Sequence, residues 1–401
     1  MNEDHWRLYE CSPIQASLQE ELTRRIHFVD DGIESYRLRL NDEGEIVGIW
    51  IKGAFNLADT ASAAVCRLFK EVAKHRSSSA MRTWTHNWDV HPKARGHQRL
   101  LSAAIDRGLV RVHGPGTVSF NGSLVHLRNS LVELVSQVST GLSGATEYVF
   151  PTLLSSSVLE RGGYIESFPN LLMRADRVRT GSASYKAVTT SLKQGLGFDS
   201  AELDLVATGY SLPPTMCYYV YDSLADTVVP DGKTFTAIGK SFRFEHVYEE
   251  PFKRLWDFTI RETVWVGTRS YCKAGLSAHM NAITSLCDSL ELSGECVTAH
   301  DPFFAGEAGA QLANAQELVG SKFELKLLID PNDPIACGSF NFHGTSIASR
   351  YNITLHDGSS ASTACVGIGI ERLMWTVLAQ HGLDPKHWPE ILQLEALSDP
   401  T

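Results

Sequence analysis

Cys365-Val366-Gly367-Ile368-Gly369-Ile370-Glu371-Arg372-Leu373 decides how this chain is read. A helix opens at Gly369 and carries Glu371, Arg372, Met374, Leu378 and Ala379. The positive half-charge of its N-terminus would face an anionic ligand. Upstream stands Phe242-Arg243-Phe244-Glu245, followed by Arg254 and by Phe258-Thr259-Ile260-Arg261-Glu262. Farther upstream is Leu212-Pro213-Pro214-Thr215-Met216-Cys217-Tyr218. The three segments carry Cys217, Glu262 and Cys365, side chains of metal-binding type. Two thiolates and a carboxylate hold Zn²⁺ with a fourth position open, as catalytic zinc sites do. An amino group fits that position.

At 401 residues the chain has room for two domains, and 43% hydrophobic with 20% charged residues is ordinary for a globular protein. No apolar run approaches the roughly 18 residues needed to cross a bilayer, so no membrane partner is expected. The N-terminal residues are polar and acidic, unlike a secretory signal. Eight scattered cysteines without a CxxC argue for a reducing cytoplasm rather than a disulfide framework. A net charge of −10 gives no overall nucleic-acid footprint. The charge is uneven, however. Lys74, Arg76, Arg82, Lys93, Arg95, Arg99, Arg107 and Arg111 crowd one stretch, with Trp84 and Trp88 among them. That stretch reads either as a solvated basic face or as a dock for something anionic.

Ser35–Leu40 alternates with strand period, Asn41-Asp42-Glu43-Gly44 reads as a turn, and Ile46–Ile51 follows as a second strand. Asp59 is placed to cap a helix through Ala63, Val65, Leu68 and Val72. His113-Gly114-Pro115-Gly116 is the strongest boundary signal. The expected division is a small α+β module of unknown role over 1–112 and a second domain over 113–401. An amphipathic stretch from Leu124 to Val138 leads to Ala145–Pro151.

These signatures resemble class II aminoacyl-tRNA synthetases. The nearer resemblance is to the atypical seryl-tRNA synthetases of methanogens and their truncated bacterial relatives, the amino acid:[carrier protein] ligases. It runs from about Gly114 to Pro389. Leu159–Pro169, Ala299–Phe304 and Ser339-Phe340-Asn341-Phe342-His343 add to it. The resemblance implies an α+β fold, an antiparallel sheet flanked by helices, and a homodimer whose interface includes a strand ending at Pro151.

It also implies ATP-dependent activation of an amino acid as its adenylate. Arg243 would contact the α-phosphate and carboxylate, and Arg372 the γ-phosphate; these are the catalytic pair. Arginine suits both places, because its fork binds phosphate oxygens bidentately and stays charged. Glu245 would read the adenine amino group, Phe258 would stack on the ring, and Arg254 would make a second phosphate contact. Cys217, Glu262 and Cys365 fall on the zinc ligands of the family, where the metal binds the substrate α-amino group. Such recognition needs no bulky pocket and suits glycine, alanine or serine. Two departures stand out. Of the two acids that hold Mg²⁺ in this superfamily, Glu324 matches the first, while Ser339 follows a segment without a second. Trp256-Asp257 ahead of Phe258 is also unusual.

The acceptor stays open at this level. A phosphopantetheinylated carrier protein is the first expectation, because no sustained heptad for a tRNA-binding arm appears. The alternatives are a small-molecule or peptide amine, and tRNA.

Overall fold

Asn41 builds the first turn. Its side-chain oxygen accepts the backbone N–H groups of Glu43 and Glu45, and Gly44 takes φ 79°. In this computed structural model the described residues are 6–15, 18–19, 22, 25–26, 29, 33–53, 60–74, 82–86, 97–141, 144–195, 205–245, 251–299, 321–331 and 333–396. The Asn41 turn joins β2 (Ile33–Leu40) to β3 (Ile46–Gly53), and β1 (Trp6–Ile14) pairs on the far side of β3. The helix Thr60–Lys74 buries Val65, Leu68, Phe69 and Val72 in a core shared with Ile46, Ile49 and Ile51. Each such side chain contributes about 1.5–3 kcal/mol relative to exposure. Hairpin and helix lie where the sequence places them; Asp59, the expected cap, is outside the described residues.

The remaining strands are β4 (Arg82–His86), β5 (Val110–Gly114), β6 (Thr117–Phe120), β7 (Ala145–Tyr148), β8 (Leu154–Ser155), β9 (Arg174–Val178), β10 (Leu205–Ser211), β11 (Gly232–Phe242), β12 (Asp257–Gly267), β13 (Gly294–Thr298), β14 (Lys322–Asp330), β15 (Asp333–Gly344) and β16 (Ser362–Gly369). Eight of them form one sheet in the order β4-β13-β14-β15-β16-β12-β11-β7. Every pair is antiparallel except β7 with β11.

One face of this sheet is covered by the helices Ser123–Thr140, Arg269–Ser289 and Ile370–His381, which share a large core. Trp375 at its centre stacks on Phe252 with ring centroids 4.1 Å apart. The opposite face carries a second core around the short helix Cys217–Ser223, with Tyr218, Tyr221, Val264, Tyr351 and Cys365.

The division at residue 112 does not match the cores. Strand β4 hydrogen-bonds to β13, and Leu100, Ala104 and Val110 are buried in the core of the large sheet. The segment from Arg82 onward therefore packs with the second unit, and the self-contained N-terminal core ends with the helix at Lys74. Nor is His113-Gly114-Pro115-Gly116 a linker. It closes the β5–β6 hairpin, with Gly116 at φ 61° and its Cα packed so tightly that a Cβ would lie 2.2 Å from the Trp256 ring. Pro followed by a positive-φ glycine is the chemistry of a tight turn. Of the basic stretch, Arg99, Arg107 and Arg111 are exposed and Arg82 pairs with Glu295 at 2.8 Å. Trp84 donates to Asp288, whereas Arg76, Trp88, Lys93 and Arg95 lie outside the described residues.

Candidate active site and metal centre

Register builds the site. Side chains alternate along a strand, and directly opposed residues share a face. One row across the sheet reads Ala237, Glu262, Gly367, Ser339, Glu324. The row two residues along reads Phe235, Val264, Cys365, Asn341, Lys322. Glu262 and Cys365 thus come together diagonally on the face away from the three helices. Cys217 opens the short helix above them. Two glycine positions on this face, Gly239 and Gly367, are tight. A Cβ on Gly367 would meet Ile260 at 2.7 Å, and one on Gly239 would meet the Met216 sulfur at 2.6 Å.

The ligand atoms of Cys217, Glu262 and Cys365 lie within 4.8 Å of one another, and all three residues are buried. Glu262 is fixed from above. The Thr215 hydroxyl donates to both its oxygens, at 2.7 and 2.5 Å, and the Met216 and Cys217 amides donate at 2.6 and 3.0 Å. Asn341 donates to the Cys365 sulfur at 3.7 Å, and His343 Nε2 also lies 3.7 Å from it. Burial, with Cys365 alongside, pushes the Cys217 thiol well up. The hydrogen bond from Cys217, then His343 and Asn341, hold Cys365 well below the usual thiol range despite its burial. Burial and the Cys365 charge push Glu262 up to about 7 against the hydrogen bonds from Thr215, Met216 and Cys217. Two buried thiols and a carboxylate gathered within 4.8 Å form a donor set that fits Zn²⁺.

The arginines cluster one strand-end away. Arg243 leaves β11, donates from Nε to the Pro214 carbonyl at 3.2 Å, and carries its guanidinium over the Phe258 ring at 5.5 Å. Arg372, in the first turn of Ile370–His381, donates to the carbonyls of Ala336 at 3.1 Å and Lys253 at 2.7 Å. Glu245 is buried and pairs with Arg254. Burial alone would raise its carboxyl, but Arg254, Arg372 and Arg243 together hold it below the usual range. Glu371, beside Arg372, points through to the helical face. There it accepts the Thr259 amide and hydroxyl, each at 2.7 Å.

Glu324 and Ser339 stand opposite each other, as the row requires, and Lys322 Nζ lies 3.4 Å from a Glu324 oxygen. One carboxylate beside a buried ammonium does not make the two-acid cage expected for Mg²⁺, and no step is assigned to that ion. Trp256 ties the arginine cluster to the β5–β6 hairpin, its carbonyl accepting the Arg243 amide at 3.1 Å. Its ring packs on Gly116 and on Phe244, with centroids 4.7 Å apart for the latter, and its Nε1 donates to the Glu245 carbonyl. Thr215, Asn341 and His343 are additions from the structure. All three sit inside quoted segments, but their roles depend on cross-strand neighbours.

No protein-family model matches the chain. It is 31% identical over 273 residues to amino acid–[acyl-carrier-protein] ligase 1 of Bradyrhizobium diazoefficiens, spanning 66% of this chain and 80% of that one. The chain belongs to the amino acid–[carrier protein] ligase family. Ligase 2 of the same organism is 29% identical over 283 residues, covering 69% of this chain and 82% of the relative. The ligase is also 23% identical over 292 residues to the type-2 serine–tRNA ligase of Methanococcus maripaludis, covering 71% of this chain and 57% of that protein. Among solved structures, Methanopyrus kandleri SerRS, crystallised with A. aeolicus tRNASec, superposes with a TM-score of 0.68. That match is 19% identical and covers 91% of this chain and 73% of the other. The cytoplasmic serine–tRNA ligase of Naegleria fowleri gives 0.59 at 12% identity, covering 84% of this chain and 79% of that one. The ligase thus has the class II synthetase fold and is an ATP-dependent amino acid ligase.

Proposed function

We propose that this ligase activates glycine, alanine or serine as an aminoacyl-adenylate and loads it as a thioester on the phosphopantetheine thiol of a carrier protein. The observation that carries this reading is the buried Cys217–Glu262–Cys365 cluster beside Arg243, which donates to the Pro214 carbonyl next to the Thr215 that holds Glu262. Cys217, Glu262 and Cys365 would hold Zn²⁺, whose open position supplies a Lewis-acid grip on the α-amino group. Arg243, beside the cluster through Pro214, would receive the substrate carboxylate.

Arg243 then aligns a carboxylate oxygen with the α-phosphorus, and Phe258 stacks the adenine. The carboxylate oxygen bonds to phosphorus as the bond to the β-phosphate oxygen breaks. Arg254 and Arg372 neutralise the departing pyrophosphate. In the second half, the acceptor thiol gives its proton to solvent, its sulfur bonds to the carbonyl carbon, and AMP leaves with the bridging oxygen that came from the carboxylate. The exposed apolar residues Tyr148, Val149 and Leu153 at the β7 edge support a homodimer.

The test is amino acid-dependent ATP–pyrophosphate exchange, followed by transfer of the labelled amino acid. Exchange with one small amino acid and labelling of holo-carrier, but not apo-carrier, is the expected result. Charging of total tRNA that falls steeply with salt would replace the carrier with tRNA. Adenylate formation with neither acceptor would point to an amine acceptor. Mutating Lys93, Arg95 and Arg99 should slow transfer and spare exchange if the basic stretch docks the acceptor. Equal transfer rates would remove that stretch from the docking surface.

A further inference from the structure

Strand β15 breaks register with β16 at one place. Phe342 opposes Ala364 and Gly344 opposes Thr363, so His343 is the extra residue at the register shift. Gly344, immediately after it, takes φ 59°. An extra residue followed by a left-handed glycine is a β-bulge, a device that re-aims one side chain without ending the sheet. Here the re-aimed side chain is an imidazole. Its Nε2 lies 3.7 Å from the Cys365 sulfur, and its Nδ1 lies 3.1 Å from the Thr363 hydroxyl. Its ring also stands edge-on to Tyr221, with centroids 6.4 Å apart.

We propose that His343 is a positioning residue for the metal centre: held by Thr363 in the tautomer that carries its proton on Nε2, it donates an N–H···S bond to Cys365. This rests on the metal reading above. In this tautomer the Thr363 hydroxyl donates to Nδ1 across the 3.1 Å contact and Nε2 carries the hydrogen that faces the sulfur. Asn341 makes a parallel donation to the same sulfur at 3.7 Å.

The chemistry gives the reason. Two thiolates and a carboxylate place three negative charges around a dication, leaving a net negative centre that must still bind an amine. Donors on Cys365, like those on Glu262 from Thr215 and two amides, withdraw charge and fix ligand orientation. His343 is not itself a fourth ligand. Among the described residues, the atoms that gather within 4.8 Å of one another belong to Cys217, Glu262 and Cys365 alone. The fourth position is thereby left to substrate.

Metal binding to the full chain tests this without reference to turnover. Co²⁺ replaces Zn²⁺ as the optical probe, and affinity is read by chelator competition with each metal alone. His343→Phe keeps the aromatic packing on Tyr221 and removes the donor. It should weaken metal binding about 10- to 100-fold and move the sulfur-to-cobalt charge-transfer band to longer wavelength. His343→Gln, which retains an N–H, should restore most of both. Thr363→Val should shift the band in the same direction by less, and it carries the test should His343→Phe fail to fold. An unchanged band and affinity in the soluble variants would overturn the proposal. So would a cobalt spectrum in His343→Phe that reports a lost ligand, since that makes His343 a ligand. A wild-type protein without a thiolate–cobalt band would instead defeat the metal reading itself.

Discussion

Glu245 stands between two guanidiniums: one carboxylate oxygen lies 3.0 Å from Arg254 Nη1 and the other 3.7 Å from Arg372 Nη2. The groups assigned to phosphate are therefore oriented by a buried carboxylate, in surroundings that strengthen the pairing relative to an exposed ion pair. Arg372→Ala should lower pyrophosphate exchange about 100- to 1000-fold, the usual cost of losing one charge-stabilising donor. Arg372→Lys should rescue little, because an ammonium cannot reach both the Ala336 and Lys253 carbonyls as a fork. Exchange rates within tenfold of wild type in both variants would show that Arg372 has no role in the chemistry.

The metal cluster predicts a separation of binding from activation. Cys217→Ser, Glu262→Gln and Cys365→Ser should each abolish stoichiometric zinc and amino acid-dependent exchange. ATP binding, read by titration calorimetry, should persist, because Arg243, Phe258 and Arg372 lie outside the cluster. Full exchange by a zinc-free wild-type protein would contradict the assignment.

His279 sets a pH dependence of stability. It is 1% exposed, and burial, with Arg261 adding to it, lowers its pKa to about 3. The unfolded histidine protonates near 6.5. Between those values the unfolded chain binds the extra proton, so this group's contribution is present above about 6.5 and is lost as pH falls. The slope it adds is at most about 1.4 kcal/mol per pH unit. His279→Phe, which keeps a ring beside Trp265, should lose less stability between pH 7 and pH 5 in urea titrations. Equal losses in the two proteins would refute it.

Edge strand β7 predicts assembly. Val149 is 92% exposed just beyond it. Val149→Asp should shift the protein towards monomer in sedimentation experiments, with secondary structure intact. A wild-type monomer, or a mutant that associates as strongly as wild type, would remove this edge from the interface.

Much was legible in one dimension. The Asn41 turn, the helix from Thr60 and the helix behind Leu124–Val138 follow from local side-chain chemistry and periodicity, which act over a few residues. The signature segments located Cys217, Glu262 and Cys365 because each carries its own local pattern. The boundary at His113–Gly116 was misplaced for the same reason. Pro and Gly mark a turn, but whether a turn separates domains depends on what packs against it, and Trp256 does so here.

What the sequence by itself determined is the set of reactive side chains and the class of fold that carries them. The tertiary structure alone decided that Glu245 holds Arg372 as well as Arg254, and that a bulge turns His343 onto Cys365. The bulge depends on which residues lie opposite each other across β15 and β16, and the hold on Arg372 on how the loop between β11 and β12 meets the helix from Ile370. Register is fixed by the whole sheet and the cores on its two faces, and a one-residue slip of β12 or β16 would carry Glu262 or Cys365 to the wrong side.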